Sequence, residues 1–338
     1  MPISPLVSVV LPVFNGMPFL PEAIGSLLNQ TLADIEVLVI DDGSTDVTGD
    51  WLRRCQDSRV KVVTLPHAGI VAALNAGLDL AKGVFVARMD ADDRCHPERL
   101  ARQVDSLLKR PELGLIATTA RYWADDAVGE GFRHFVHWNN QLLDPLAIYL
   151  RRFVESPLIH PTVMFRKDLV ARFGGYRDGE FPEDYELWLR WLSHGVRMAK
   201  LDWPGLDWRE RPARLSRADD RYATEAFYRL KTRYLAEWLL KKGLSKGRVV
   251  VWGAGRISRQ RSQLLAGAGI EVIAYVDVDP HKVGQVVHGR KVLSPDALPG
   301  PGKVFVLSYV ANRGAGVQIT EFLTSNGYIE GRDFLLVA

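Results

Sequence analysis

The stretch "VFVARMDADD" (84–93) runs apolar through its first six positions, apart from Arg88, and then places Asp90, Asp92 and Asp93 within four residues. An unalternating run of this length suits a strand buried on both faces, the kind found in parallel sheets. Its abrupt acidic end poses a physical question. Like charges ~4 Å apart repel by about 1 kcal/mol in water and by more where solvent is thin. Either the three carboxylates face bulk water, or something cationic belongs among them.

Working outward, the same pattern recurs. "LVSVVLPVF" (6–14) stops at the turn dipeptide Asn15-Gly16, "IEVLVI" (35–40) runs into "DDGSTD", and "VKVVTL" (60–65) reads as a third strand. Helical stretches separate them: from Pro21, with Ile24, Leu27 and Leu28 on one face, then 45–54 and 69–81. Strand–helix alternation with apolar strands predicts an α/β fold, a mostly parallel sheet covered by helices on both faces. Ligands bind such sheets beyond the carboxyl ends of the strands. Pro12 to Asn15, Asp41 with Asp42, and Asp90 to Asp93 all fall at those ends.

The remaining chain suggests further parts. At 338 residues it is long enough for about two domains. The section from 111 to 210 is rich in tryptophan, and its "EDYELWLRWLSHG" (183–195) spaces Leu187, Trp188, Trp191 and Leu192 as a helix does, with Gly195 as its C-cap. An amphipathic helix is expected over 219–242, followed by the joint "KKGLSKGR". From "RVVVWGAGRIS" onward a second βαβ pattern begins. The expected division is a catalytic domain over 1–217, a basic helix and linker over 218–246, and a small α/β domain over 247–338.

A net charge of +3 is too small to make the whole chain a nucleic-acid binder, but residues 209–248 hold 12 Lys/Arg against 5 Asp/Glu. Such a stretch suits a polyanion, an anionic lipid surface, or merely a solvated helix face. Cys55 and Cys95 form no disulfide framework and fit a reducing compartment. With no signal-peptide pattern and no apolar run near ~18 residues, the expectation is a cytoplasmic protein, at most peripheral at the membrane's inner face.

The acidic cluster suits a divalent cation. Hard Mg²⁺ or Mn²⁺ prefers carboxylate oxygens, often one or two from the protein together with substrate phosphates. The same residues also fit a solvated turn, with Asp93 capping the helix that begins near Pro97. On the first reading Asp90 and Asp92 are the metal and sugar contacts and Asp93 is the cap.

Taken in order, "VSVVLPVFNG", "SLLNQTL", "EVLVIDDGSTD", "AALNAGLDLAKG", "VARMDADD", "HPTVMFRKDL", "FGGYR" and "EDYELWLRW" resemble the motifs of family-2 glycosyltransferases with the GT-A fold. The resemblance spans about residues 6–217 and implies inverting sugar transfer from a nucleotide-sugar donor, UDP-linked in the first instance, with Mn²⁺ or Mg²⁺. It places Pro12 and Asn15 beside the nucleobase, Asp42 on the uracil N–H, Asp90 on ribose or sugar, Asp92 on the metal–diphosphate and Asp184 as general base. Glu183 supports that base, and His160 is a candidate for the acceptor pocket or a buried, hydrogen-bonded core histidine. One carboxylate base suffices chemically when a metal stabilises the leaving diphosphate. The chain departs from the family at "WRERPARLS" (208–216), where Arg211 stands in place of a metal-binding His. Arg has no lone pair to give a cation, but it can pair with a diphosphate in bidentate fashion. Strict metal dependence is therefore in question.

In the tail, Gly253 and Gly255 follow an apolar strand, and Asp277 ends the next one, as in a dinucleotide fingerprint. Ser258 replaces the third glycine, which predicts looser helix–strand packing. The same pattern also fits an accessory domain that binds nothing. The order of the two domains resembles that of queuosine-tRNA galactosyltransferases, which adds tRNA to the acceptors to weigh against the cell-surface glycan precursors typical of bacterial relatives. A binder of nucleotide or RNA without transferase activity is the reading from another class.

Overall fold

A computed structural model describes residues 4–124, 130–211, 214, 217, 219–243 and 247–338. The chain divides into two compact units: Met1–Ile148 with Pro157–Arg221, and Tyr149–Ser156 with Tyr222–Ala338. The break at Arg221 lies four residues beyond the boundary expected at 217. The short segment 149–156, expected inside the first domain, packs with the second unit. Residues 244–246 of the expected joint lie outside the described residues.

The first unit is built on an eight-stranded sheet: β1 (Val7–Val13), β2 (Ile35–Asp41), β3 (Val60–Thr64), β4 (Phe85–Arg88), β5 (Arg94–Cys95), β6 (Leu113–Trp123), β7 (Met164–Arg166) and β8 (Arg197–Arg209). Their order is β3-β2-β1-β4-β7-β6-β8-β5. The pairs β1/β2, β2/β3, β1/β4 and β6/β8 are parallel, whereas β7 is antiparallel to β4 and β6, and β5 to β8. Every residue of β1, β2 and β4 is buried, as their unalternating sequences require. Helices Leu20–Leu28 and Ile70–Leu80 supply the predicted cover between strands.

Register sets the geometry of the ligand edge. Val13 pairs with Asp41 and Asp41 with Thr64, so three strands end together. Strand β4 leaves β1 earlier, after Val10 pairs with Arg88 and Met89 N donates to Val10 O. Pro12, two residues on, therefore directs its missing N–H toward the side that β4 has vacated, and a central strand tolerates it. The opposite edge is closed by a polar knot: Ser8 Oγ donates to Glu36 Oε1 at 2.6 Å, and Lys82 N and Gly83 N donate to Ser8 Oγ.

The second unit carries β9 (Arg248–Trp252), β10 (Glu271–Val276), β11 (Val286–Val287), β12 (Arg290–Leu293), β13 (Phe305–Ser308) and β14 (Phe334–Leu336), in the order β11-β12-β10-β9-β13-β14. All its pairings are parallel except β11/β12. The helix expected over 256–267 is two pieces, Arg256–Ser262 and Leu264–Gly267. The basic amphipathic helix runs Thr224–Lys241 and buries Tyr228, Leu230, Tyr234, Leu235 and Leu239. Within it Lys231 is also buried, its Nζ donating to Val154 O and Val337 O at 2.9 and 2.7 Å. That lysine ties the segment 149–156 and the C-terminal strand to the helix. Among the described residues no helix is long and apolar enough to cross a membrane.

Candidate active site

At the end of β4, one ligand atom from each of Asp90, Asp92 and Asp93 lies within 4.8 Å of the others. The cations that make this possible come from both sides of the cluster in sequence. Arg88, the last residue of β4, pairs with Asp90 Oδ1. Arg214 Nη2 lies 3.4 Å from Asp90 Oδ2, and its Nη1 lies 4.0 Å from Asp93 Oδ1. Arg211 Nε donates to Asp92 Oδ2 at 2.6 Å. Arg209 closes the group, donating its backbone N to Asp93 Oδ1 and its Nε to the Asp92 carbonyl, both at 2.8 Å. At ~4 Å and an effective dielectric of ~20, each opposite-charge pair offsets about 4 kcal/mol of repulsion, before desolvation is counted. The cations are arginines, drawn from the strand itself and from the end of β8.

Titration follows from that arrangement. Burial alone would raise the Asp90 carboxyl, but the charges of Arg88, Arg214 and Arg211 hold it below the ordinary range. Asp93 is pushed well above it, first by burial and then by the Asp92 charge, with Arg214 only partly compensating. Asp93 Oδ2 is buried without a hydrogen-bond partner among the described residues. The expectation that Asp93 caps the next helix is corrected: that helix, Arg99–Lys109, starts from Glu98 with no side-chain cap, and Asp93 is spent on the backbone of Arg209.

Asn15 and Asp42 shape the neighbouring strand ends. Asn15, in the left-handed region at φ 50°, accepts on Oδ1 from Thr45 N and Asp46 N, and its own N donates to Ser44 Oγ. It thereby pins the "GSTD" loop over β1. The Asp42 carboxylate accepts from Ala68 N and Gly69 N at 2.8 and 2.9 Å, and His67 Nδ1 lies 2.8 Å from it. Asp42 thus builds the turn into helix Ile70–Leu80, and any ligand contact must share its remaining lone pairs. Phe14 and His67 stack beside it, centroids 4.3 Å apart, and both are exposed.

Asp184 stands in the first turn of helix Glu183–Ser193, with Tyr185 N donating to its Oδ1 at 2.6 Å. Its carboxyl is pushed up to about 8, by burial first and then by the Glu183 charge; Asp90 adds to the rise and Arg88 opposes it. The electrostatics therefore link the helix start to the strand end. Arg88, which is buried, is the common neighbour. Its charge acts on Asp90, Asp184, Tyr176 and His160. His160 Nε2 and Tyr176 OH are hydrogen-bonded at 2.7 Å, and burial together with Arg88 holds the imidazole neutral. The helix bearing Asp184 is locked by a buried pair one turn on: Arg190 Nε lies 3.0 Å from Glu186 Oε1, and the same guanidinium donates to the carbonyls of Phe173, Gly174 and Gly175.

Chain comparison decides what this edge belongs to. Residues 8–174 match the model of glycosyl transferase family 2. The amylovoran biosynthesis glycosyltransferase AmsE of Erwinia amylovora is 32% identical over 185 residues, covering 54% of this chain and 67% of that one. The chain belongs to glycosyl transferase family 2. It is a glycosyltransferase, and further similarities agree. The O-antigen biosynthesis glycosyltransferase WbnJ of Escherichia coli is 28% identical over 248 residues, 71% of this family-2 chain and 91% of WbnJ. In structure, S. aureus TarS in complex with UDP-GlcNAc superposes with TM-score 0.55 at 21% identity, covering 78% of this chain and 71% of the other, which shows the GT-A fold. A Pyrobaculum calidifontis mannosyltransferase with GDP-Man and Mn²⁺ gives TM-score 0.50 at 21% identity over 79% and 70% of the chains.

The oxygen-only donor set of Asp90, Asp92 and Asp93 at this family-2 strand end fits a hard divalent ion. Four site residues escaped the sequence reading: Arg88, Arg209, Arg214 and Tyr176. Only Arg88 carried a signal, since a charge ending an apolar strand must find a partner when buried. Buried Arg99 was missed as well; its Nη2 donates to the Arg88 carbonyl at 2.7 Å and fixes the strand end beneath the aspartates.

In the second unit the turn from Gly253 to Gly255 after β9 reaches Asp277, after β10, through Ala254. The Asp277 carboxylate accepts from Ala254 N and Asp279 N at 3.0 Å, and Lys282 Nζ lies 3.2 Å away. The expectation of loose packing at Ser258 is corrected: its hydroxyl donates to Tyr309 O at 2.9 Å and closes the helix onto β13.

Proposed function

We propose that this glycosyltransferase moves a sugar, with inversion, from a UDP-linked donor to a hydroxyl of a cell-surface glycan precursor. The observation that carries the reading is the acidic end of β4, where ligand atoms of Asp90, Asp92 and Asp93 lie within 4.8 Å of one another, with the Asp184 carboxyl near enough for the Asp90 and Arg88 charges to act on it. One carboxylate base beside one metal-assisted donor end is a sufficient set for inverting displacement. Asp184 takes the proton of the attacking hydroxyl on its free oxygen, while Tyr185 N holds the other. Asp90 contacts ribose or sugar, and Asp92 holds the diphosphate end of the donor together with Mn²⁺ or Mg²⁺. When bound, that ion supplies charge stabilisation to the leaving diphosphate. Pro12, Asn15 and Asp42 border the nucleobase, and Glu183 and His160 line the acceptor side. WbnJ and AmsE, named for O-antigen and amylovoran biosynthesis, support a glycan acceptor over a tRNA. A cytoplasmic location, with the acceptor presented at the inner membrane face, suits such a precursor.

The test is incubation of UDP-, dTDP- and GDP-sugars and Mn²⁺ with a hydroxyl-bearing glycan-precursor acceptor, with NMR of the anomeric proton in the glycosidic product. The reading expects UDP-sugar turnover and a product whose anomeric configuration is opposite to the donor's. Retention, or turnover only with another nucleotide, contradicts it.

A further inference from the structure

The short contact between Arg211 Nε and Asp92 Oδ2, at 2.6 Å, puts a permanent cation on the oxygen proposed to hold the divalent ion. The rest of the cluster is equally subscribed. Arg88 and Arg214 take the two oxygens of Asp90, and the backbone of Arg209 takes one oxygen of Asp93. Three carboxylates thus face three side-chain cations, Arg88, Arg211 and Arg214. Of these only Arg211 is substantially exposed, with 31% of its side chain accessible against 5% and 11% for Arg88 and Arg214. Its guanidinium carbon also lies 5.4 Å from the ring of Phe19, and its charge reaches Asp90. It is the one cation of the three that can leave without unpacking the strand end.

We propose that Arg211 is a resident counter-cation that keeps a divalent ion off Asp92 until a diphosphate arrives. A dication entering alone would meet the guanidinium at contact range and find its ligand already paired. A nucleoside diphosphate changes the balance, because its oxygens offer Arg211 a bidentate partner at least as good as one carboxylate oxygen. Arg211 then turns from Asp92 to phosphate, and the vacated oxygen and the diphosphate together hold the ion. Binding of metal and of nucleotide becomes mutually dependent, with the same factor in both directions. This rests on the nucleotide-sugar reading of the site.

The test measures Mn²⁺ binding to the full chain by the loss of the free-ion electron paramagnetic resonance signal, with and without UDP, each corrected for the Mn²⁺ that UDP binds in the same mixture without protein. UDP binding is followed separately by calorimetry. In the wild type UDP should tighten Mn²⁺ binding by about 10-fold or more, within the usual range of coupling between sites. Arg211→Gln should bind Mn²⁺ alone about 10-fold more tightly than wild type, and UDP should then tighten Mn²⁺ binding less than it does in wild type, by only what direct phosphate–ion contact supplies. Arg211→Lys keeps a cation in reach and should block Mn²⁺ much as wild type does. Thermal melts establish that both variants are folded. Equal Mn²⁺ affinity with and without UDP in a wild type that binds UDP overturns the role of Arg211 while leaving the donor reading intact. So does an unchanged Mn²⁺ affinity in folded Arg211→Gln. A wild type that binds neither UDP nor UDP-sugar overturns the donor reading and this inference with it.

Discussion

The two sheets end in the same kind of place and treat it differently. In the first unit the carboxylates at the end of β4 are balanced by Arg88 of the strand itself and by Arg211 and Arg214, more than a hundred residues away just past β8, and one buried oxygen of Asp93 has no hydrogen-bond partner among the described residues. In the second, Asp277 at the end of β10 is satisfied by groups close by: the N–H of the glycine turn, the N–H two residues on, and Lys282. Topology alone makes a crevice. What distinguishes a working edge is charge that local structure leaves unsettled, so that substrate and ion can settle it.

That contrast can be broken by substitution, beginning with the largest effect. Asp92→Asn removes the charge that pairs with Arg211 and would hold the ion; transfer should fall by at least ~100-fold, as metal-site changes commonly do. Activity within a few-fold of wild type would place the ion elsewhere. Next, Glu186→Gln strips Arg190 of its buried partner in the helix that carries Asp184. A loss of about 3–5 kcal/mol is expected, read as a lowered urea midpoint. An unchanged midpoint would mean that the carbonyls of 173–175 suffice to hold Arg190.

In the second unit, Gly253 sits at φ 118° and an added Cβ would stand 2.7 Å from Ser258 Oγ. Gly253→Ala should therefore cost about 1–3 kcal/mol in thermal unfolding. Glycosyl transfer at a permissive temperature should persist, because the proposed machinery lies in the other unit. Loss of transfer in a folded protein would give the glycine turn a share in the reaction.

The smallest effect is a pH shift. A base whose carboxyl sits at about 8 must lose its proton to act, so kcat/KM should rise with pH and level off above about 8. Glu183→Gln removes the neighbouring charge and should move that limb down by about one unit. The same shift has a cost in stability. The Asp184 carboxyl is protonated in both states below its ordinary range. As pH rises from about 4 to about 8 the unfolded chain ionises and the folded one resists. Asp184→Asn should accordingly melt higher than wild type at pH 8 and no differently at pH 4.

Much of this was legible in the sequence, for identifiable reasons. Strands β1, β2 and β4 are read from apolar runs because burial on both faces leaves no alternation to confuse. The acids Asp42, Asp90 and Asp92 are read because they follow those runs directly. The antiparallel β7 was hidden, since only three residues, Met164–Arg166, form it. The arginine shell was hidden because nothing local in "WRERPARLS" says that its charges return to Asp90 and Asp92. The packing of 149–156 with the second unit was equally silent, for it rests on Lys231 reaching the carbonyl of Val154 from a distant helix.

The central claim is that the base and the donor end are separate groups on one edge, and Asp184→Asn tests it most directly. The substitution keeps size and shape but cannot accept the hydroxyl's proton. Single-turnover transfer and UDP affinity should be measured on one folded preparation. A fall of about 10²–10⁴-fold in transfer with UDP affinity unchanged is the predicted result. Transfer near the wild-type rate, or UDP binding lost along with it, would contradict the account.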